Sequence, residues 1–407
     1  MTTTTTTTPV RARPTLSELL ERFAPVLDRI AAGAVERERT RTLPHEPVRW
    51  LADSGFTTVT LPVEAGGSGA APSDLFALLV RLGEADSNLP QLLRAHFSFV
   101  EELLLDPSVV RRAHWFDRIA AGDVFGNASH ERSSAAVGRL STHLVPNGDG
   151  WRLHGEKHYS TGTLFADWTT VTAETPDGHV VGVTVPVDAS GVHVRDDWNA
   201  FGQRLTGSGT TRFDGVPVEL WQLRAERDDR RTPLPAFLQT VLLASLAGVG
   251  RATARDAVAF VRGRTRHYQH GAGPTAATDP LVQGVVGRIA SDAVAAEALV
   301  LHAARAIDEA HEALVDGTAD AAERVAAAEL RTIQVQQNVV ELVLRATTAL
   351  FEVGGASATD RDRALDRHWR NARTLSSHNP LVFQQRIIGD HLVNGAELQY
   401  FWATGEA

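Results

Sequence analysis

Residues 367–380 read RHWRNARTLSSHNP, which places three arginines, two histidines, two asparagines and two serines within fourteen positions. Guanidinium forks match the oxygens of phosphates and other oxyanions, and imidazole, amide and hydroxyl groups donate hydrogen bonds to developing negative charge. A carboxylate base is missing, although the chain carries 49 acidic residues: from Asp366 to Asp390 no acid intervenes. Arg370, Asn371 and Arg373 are therefore candidates for holding an anion, though side chains on one helical turn cannot all point at one ligand. His378 and Asn379 add hydrogen-bond donors at the end of the stretch.

Other chemistries find less support. GAGPTA at 271–276 fits a loose dinucleotide fingerprint, but it follows RTRHYQH instead of an apolar strand and contains Pro274. His267 and His270 share a helical spacing without a third ligand nearby, so no metal site is expected. No G-x-S-x-G elbow occurs, which speaks against a serine hydrolase. With no cysteine, thiolate catalysis, disulfides and iron–sulfur clusters are excluded, a composition that suits a cytoplasmic enzyme. The net charge of −9 disfavours nucleic acid as a partner. The apolar run FLQTVLLASLAGVG at 237–250 is shorter than the ~20 residues that span a bilayer and reads as a core helix. MTTTTTTTPVRARP lacks the apolar core of a signal peptide and reads as a flexible tail.

Three pattern changes organise the elements that must position these residues. From 15 to 125 the chain is helical, opening with apolar residues at i, i+3, i+4 and i+7 from Leu16 behind a Thr15 or Ser17 cap, with Pro25 a potential kink. Ser73 is the expected cap of the helix DLFALLVRLGEAD. From 126 to 232 strands alternate with turns such as PNGDG, giving an antiparallel β domain. From 233 to 407 three long alanine-rich helices and a fourth from about Pro380 to Trp402 predict a four-helix bundle. Residues 1–14 form the tail.

This order, with the words LPVEAGGSG, GEKHYSTGTLFADW, FGQRLTGSGTTRFDGVPV and LFEVGGASA in sequence, resembles the acyl-CoA dehydrogenase superfamily over nearly the whole chain. Dehydrogenases of that superfamily carry a glutamate after the GG word, or on an earlier bundle helix. Here both places lack it, and the only acid of FLQTVLLASLAGVGRATARDAV is Asp256. HWRNART and SHNP, followed by IG, instead resemble the flavin-dependent monooxygenase branch. That resemblance implies reduced flavin (FMNH2 or FADH2) from a separate NAD(P)H:flavin reductase, O2 as co-substrate, a C4a-hydroperoxyflavin and a small aromatic or heteroatom-containing substrate of sulfur-heterocycle, indole or amine type. It also implies a homotetramer, a dimer of dimers through the bundle, without a membrane partner.

The resemblance places His378 near the flavin ring and oxygen, with Asn127 in that pocket and His96 on the helix facing it. Ser160 and Thr161 correspond to residues on the pyrimidine edge or N5, and Trp198 to the aromatic beside the ring. Arg266, Arg370, Asn371 and Arg373 correspond to the phosphate end, and Gly354 and Gly355 to further cofactor-binding positions. Two other readings stay open: an FAD-dependent acyl-CoA dehydrogenase with a displaced base, and a scaffold that has kept the fold without catalysis.

Overall fold

The computed structural model describes residues 13–132, 140–224, 231–266 and 268–399. Helix α1 (Leu16–Thr40) opens on a capping box in which the Thr15 side chain accepts from the Glu18 amide and Glu18 returns a bond to Thr15. Pro25 lies inside this helix. After α2 (His45–Asp53), α3 begins at Pro72 and ends at Ala85, with Ala71 at the N-cap. Ser73 is thus inside the helix and not its cap. Its amide donates to Asp308 Oδ1 at 2.8 Å, a partner 235 residues away that local pattern cannot reveal.

Helices α4 (Asn88–Leu92), α5 (Arg94–Leu104) and α6 (Val109–Ala120) lead into the sheet. Its strands are β1 (Phe125–Ala128), β2 (His143–Asn147), β3 (Gly150–Lys157), β4 (Trp168–Glu174), β5 (Val180–Pro186), β6 (Val192–Val194), β7 (Thr211–Val218) and β8 (Leu223–Arg224). They run in the order β6-β7-β3-β2-β4-β5-β8, and PNGDG does turn the β2–β3 hairpin. The expectation of an antiparallel domain needs one correction. β1, reached from α6 and not through a hairpin, pairs parallel to β4 with Phe125 opposite Trp168, and β2 also meets β4 in parallel at His143 and Glu174, so the sheet is mixed.

Helices α7 (Leu234–Arg262), α8 (Pro280–Asp316) and α9 (Ala321–Ala349) form the bundle; the expected fourth helix is α11 (Leu381–Asn394), which ends before Trp402, and a further helix that the pattern did not announce, α10 (Asp366–Ser376), precedes it. Pro380 sits between the two, where it cannot continue a helix. Residues 400–407, including Trp402, lie outside the described residues. α7 runs for 29 residues and is long and apolar enough to cross a membrane by composition. In this fold 83% of its apolar window is buried by neighbouring elements. Its buried hydroxyls are satisfied internally: Thr240, Ser245 and Thr253 bond the carbonyls four residues back at 2.7–2.9 Å.

The joint between helices and sheet is aromatic. Phe99 of α5 stacks on Phe125 of β1 at 4.4 Å, with Trp115 of α6 and Trp168 of β4 packed edge-on around them. Burying such rings orients α5 rigidly, which decides where its other face points.

Candidate active site

That other face carries Arg94, Ser98 and Glu102, one every four residues, so a single helical stripe presents them together. They form one wall of a cavity of about 140 Å³ that opens to solvent. Facing them are Asn127 and Ser129 at the end of β1, Thr161, Thr170 and Thr172 of β4, Thr184 of β5 and Arg224 of β8, with Leu234 and Leu238 of α7 and Gln91 of α4 closing the sides.

Arg94 reaches from this wall to the end of α10, where its Nη2 lies 3.3 Å from His378 Nε2. A guanidinium has only donors, so His378 Nε2 accepts and the ring proton sits on Nδ1, directed at Asn379 Oδ1 3.4 Å away. Asn379 is itself anchored. Its amide donates to Gln239 of α7, and its carbonyl accepts from Gln336 Nε2 of α9 at 2.8 Å. His378 is exposed at the turn between α10 and α11, while protein crowds the inner side of its ring. Burial first, and then the Arg94 charge, draw its pKa down to about 3. Burial also draws Arg94 down to about 10, which leaves it charged at neutral pH.

On the sheet side, Asn127 Oδ1, Ser160 Oγ and Gln91 Oε1 are buried and lack a hydrogen-bond partner among the described residues. An orphaned buried polar atom costs ~1–3 kcal/mol, so the two on the cavity wall, Asn127 Oδ1 and Gln91 Oε1, suit a polar ligand with donors at its edge, and Ser160 precedes the cavity-lining Thr161 in the chain. Thr161 lines the cavity, and its hydroxyl lies 2.8 Å from Ser208 Oγ. Trp198 donates from Nε1 to the Gln203 carbonyl at 2.9 Å and meets Tyr159 edge-on. Residues 198–203 are pinned against α10, since a Cβ on Gly202 would fall 2.0 Å from the Arg370 carbonyl.

Four expected site residues are placed otherwise. His96 is wholly buried and does not face the cavity: Nε2 bonds the Thr57 carbonyl at 2.9 Å and Nδ1 accepts from the Phe125 amide at 3.3 Å. Arg370 is bound to Glu38 and Asp366, both at 2.8 Å, and to the Phe201 carbonyl, which commits Nε and Nη1 to the fold and rules out a bidentate fork through them. Asn371 accepts from the Gln203 amide at 2.6 Å and donates to Ser87, so it too is a joint of the fold. Gly354 is a packing residue, because a Cβ there would meet the Phe260 ring at 2.5 Å. Arg266 and Arg373 are exposed, and Gly355 takes a left-handed φ of 53° beside Tyr268. His267 lies outside the described residues.

The missing acids of 367–380 come from elsewhere in the chain. Asp256 of α7 binds Arg367 at 2.6 Å and His368 at 2.8 Å. Burial alone would raise its carboxyl, but the His368 bond and the Arg367 and Arg255 charges hold it far below the usual range. On the cavity wall the acid is Glu102, paired with Arg224 and with Arg111 at 3.7 Å.

Three consecutive stretches match the acyl-CoA dehydrogenase N-terminal domain (16–123), middle domain (128–216) and C-terminal domain (241–383). The chain belongs to the acyl-CoA dehydrogenase family. Its relatives place it in the flavin-dependent monooxygenase branch. A probable FMNH2-dependent monooxygenase, SfnC of Pseudomonas putida, is 26% identical over 89% of this chain and 92% of its own length. FMN-bound TdsC from Paenibacillus sp. A11-2 superimposes with a TM-score of 0.86 at 25% identity, covering 94% of this chain and 99% of that one. Methanesulfinate monooxygenase MsuC from Pseudomonas fluorescens gives 0.85 at 25% identity, over 94% and 98%.

For a member of this branch, Arg94 is the residue that sequence reading missed. It stands in LLRAHFSF, where His96 drew the attention; the four-residue repeat of Arg94, Ser98 and Glu102 along the helix was the available signal.

Proposed function

We propose that this protein is a reductase-fed monooxygenase that binds reduced flavin beside the Arg94–His378 pair and oxygenates a small molecule in the adjoining cavity. The observation that carries this reading is a site with neutral and cationic donors and no free base. Among the described residues, Glu102 is the acid on the cavity wall and is doubly paired, while Asp256 is locked to Arg367 and His368. An acyl-CoA dehydrogenase needs a carboxylate free to take a proton, so these pairs weigh against that alternative.

The residues present fit a flavin. Asn127 and Ser160 offer orphaned polar atoms, Thr161 a hydroxyl, and Trp198 an aromatic wall held by Gln203 and Tyr159. When bound, reduced flavin supplies two electrons and activates O2 at its C4a carbon, so that one oxygen atom enters the substrate and the other leaves as water. The protein's part is to hold a dry, pre-oriented place for that event. His378, neutral and with Nε2 occupied by Arg94, delivers no proton; it orients the guanidinium toward the cavity. This modifies the sequence reading, in which His378 itself was the donor.

FMNH2 is the preferred flavin, supported by the FMNH2-dependent and FMN-bound relatives. A separate NAD(P)H:flavin reductase then supplies it. Assembly into a homotetramer through the C-terminal helices is supported by the apolar side chains left exposed there: Leu281 and Val294 of α8, and Val382, Phe383, Leu392 and Val393 of α11.

The test is turnover of a panel of thioethers, sulfinates, indoles, phenols and amines with FMN, NADH and an added flavin reductase under 18O2. Incorporation of one labelled oxygen is expected. Bleaching of bound flavin by an acyl-CoA without oxygen would overturn the reading.

A further inference from the structure

The cavity wall is more cationic than an apolar substrate requires. Three of its side chains are arginines, Arg94, Arg111 and Arg224, and Glu102 is its acid among the described residues. Glu102 lies between Arg224 and Arg111, and Arg111 is paired a second time with Asp106 at 3.3 Å. Two carboxylates thus answer two guanidiniums. Arg94 is left over: no carboxylate among the described residues lies within ion-pair distance of it, and the partner it has, His378, is neutral.

A half-buried guanidinium without a counter-ion is costly unless something else neutralises it. Arg94 opens onto a space whose other polar lining includes Ser98, Gln91 and Asn127. Its volume of about 140 Å³ is close to the roughly 150 Å³ that houses a single benzene ring. A neutral polycyclic heterocycle would leave the charge unanswered and exceed the space.

We propose that Arg94 determines specificity, and that the substrate is a small organic oxyanion, a sulfinate or carboxylate on a group no larger than one ring, whose charged end the Arg94 fork holds. The flavin-monooxygenase reading supplies the chemistry; the anion preference follows from the charge balance of the wall and has its own readout.

That readout is calorimetric binding of two isosteric probes to the FMN-loaded protein, benzenesulfinate and methyl phenyl sulfoxide. The anionic probe should bind about 10- to 100-fold more tightly, as a charge-assisted bidentate contact predicts. Arg94→Gln should erase that preference and Arg94→Lys should keep part of it, with FMN affinity within about threefold of the parent in both. Equal affinity for the two probes in the parent would overturn the proposal. So would a loss of FMN affinity in Arg94→Gln as large as the loss for benzenesulfinate, since Arg94 would then be holding the flavin. Preferential, Arg94-dependent binding without oxygen-dependent product in the reductase-coupled assay would uphold the anion site and remove the monooxygenase reading instead.

Discussion

Arg94 Nη2 stands 3.3 Å from His378 Nε2, and this contact joins α5 to the turn between α10 and α11 across 284 residues of sequence. It sets the imidazole's tautomer, because an arginine can only donate. It also aims the arginine, because His378 is held by Asn379, and Asn379 by Gln239 and Gln336 from two bundle helices. The acid-free RHWRNARTLSSHNP therefore does two jobs. Its first half is stitched into the fold through Asp256 and Glu38, and its last residues present a neutral acceptor to a cation that comes from another domain.

His378→Ala should lower kcat by at least about tenfold while FMN affinity changes less than about threefold, since the ring orients Arg94 and does not carry the flavin. With a pKa near 3, His378 stays neutral from pH 5 to 9 and should add no limb to the pH–rate profile there. A limb near pH 6.5 in the parent that vanishes in the alanine variant would contradict this assignment.

His96 should govern acid stability. Burial lowers its pKa to about 4, against the opposing bond to Thr57, from an ordinary value near 6.5. The unfolded chain then binds a proton between these values that the folded chain does not, so stability falls as pH drops from about 6.5 to 4. The contribution lost by pH 4.5 is roughly 2–3 kcal/mol. Protonated Nδ1 would also face the Phe125 amide donor to donor. In urea melts, His96→Gln should flatten the stability slope over that range. An unchanged slope would mean that the ring is already charged in the fold.

What could be read in the sequence was local. The helix cap at Thr15, one of two candidates with Ser17, the PNGDG turn and the periodic apolar stripes involve partners a few residues apart, and the structure has them there. What could not be read depends on distant partners. Ser73 resembles a cap until Asp308 takes its amide, and Arg370 resembles a phosphate ligand until Glu38, 332 residues away, occupies its fork. His96 and Arg94 sit two positions apart on one helix, and only the aromatic joint at Phe99 and Phe125 decides which of them meets the cavity.

Gly162 should be intolerant of a side chain. Its φ is +82°, and a Cβ would come 2.3 Å from the Leu92 carbonyl, where the sheet closes on the α4–α5 junction beside Thr161 and Arg94. Gly162→Ala combines left-handed strain with a backbone clash, and a loss of roughly 2–4 kcal/mol is expected by denaturant titration. FMN affinity should fall with it, because Ser160 and Thr161 ride on the same turn. A variant as stable as the parent would show that the sheet and α5 can separate without cost.

Glu329 of α9 should be a stability liability that pH exposes. It is buried, its Oε2 lacks a partner, and burial raises its pKa to about 8. Between an unfolded value near 4.5 and this folded value, the native chain holds a proton that the unfolded chain has released. Stability accordingly falls as pH rises through that window. Glu329→Gln keeps the shape and removes the ionisation, so it should stabilise the protein at pH 8 by on the order of 4 kcal/mol and make little difference at pH 4.5. Guanidinium melts at the two pH values check this directly. If the glutamine variant gains nothing at pH 8, the Glu329 carboxylate is ionised and neutralised in the native protein, and a cationic partner must reach it.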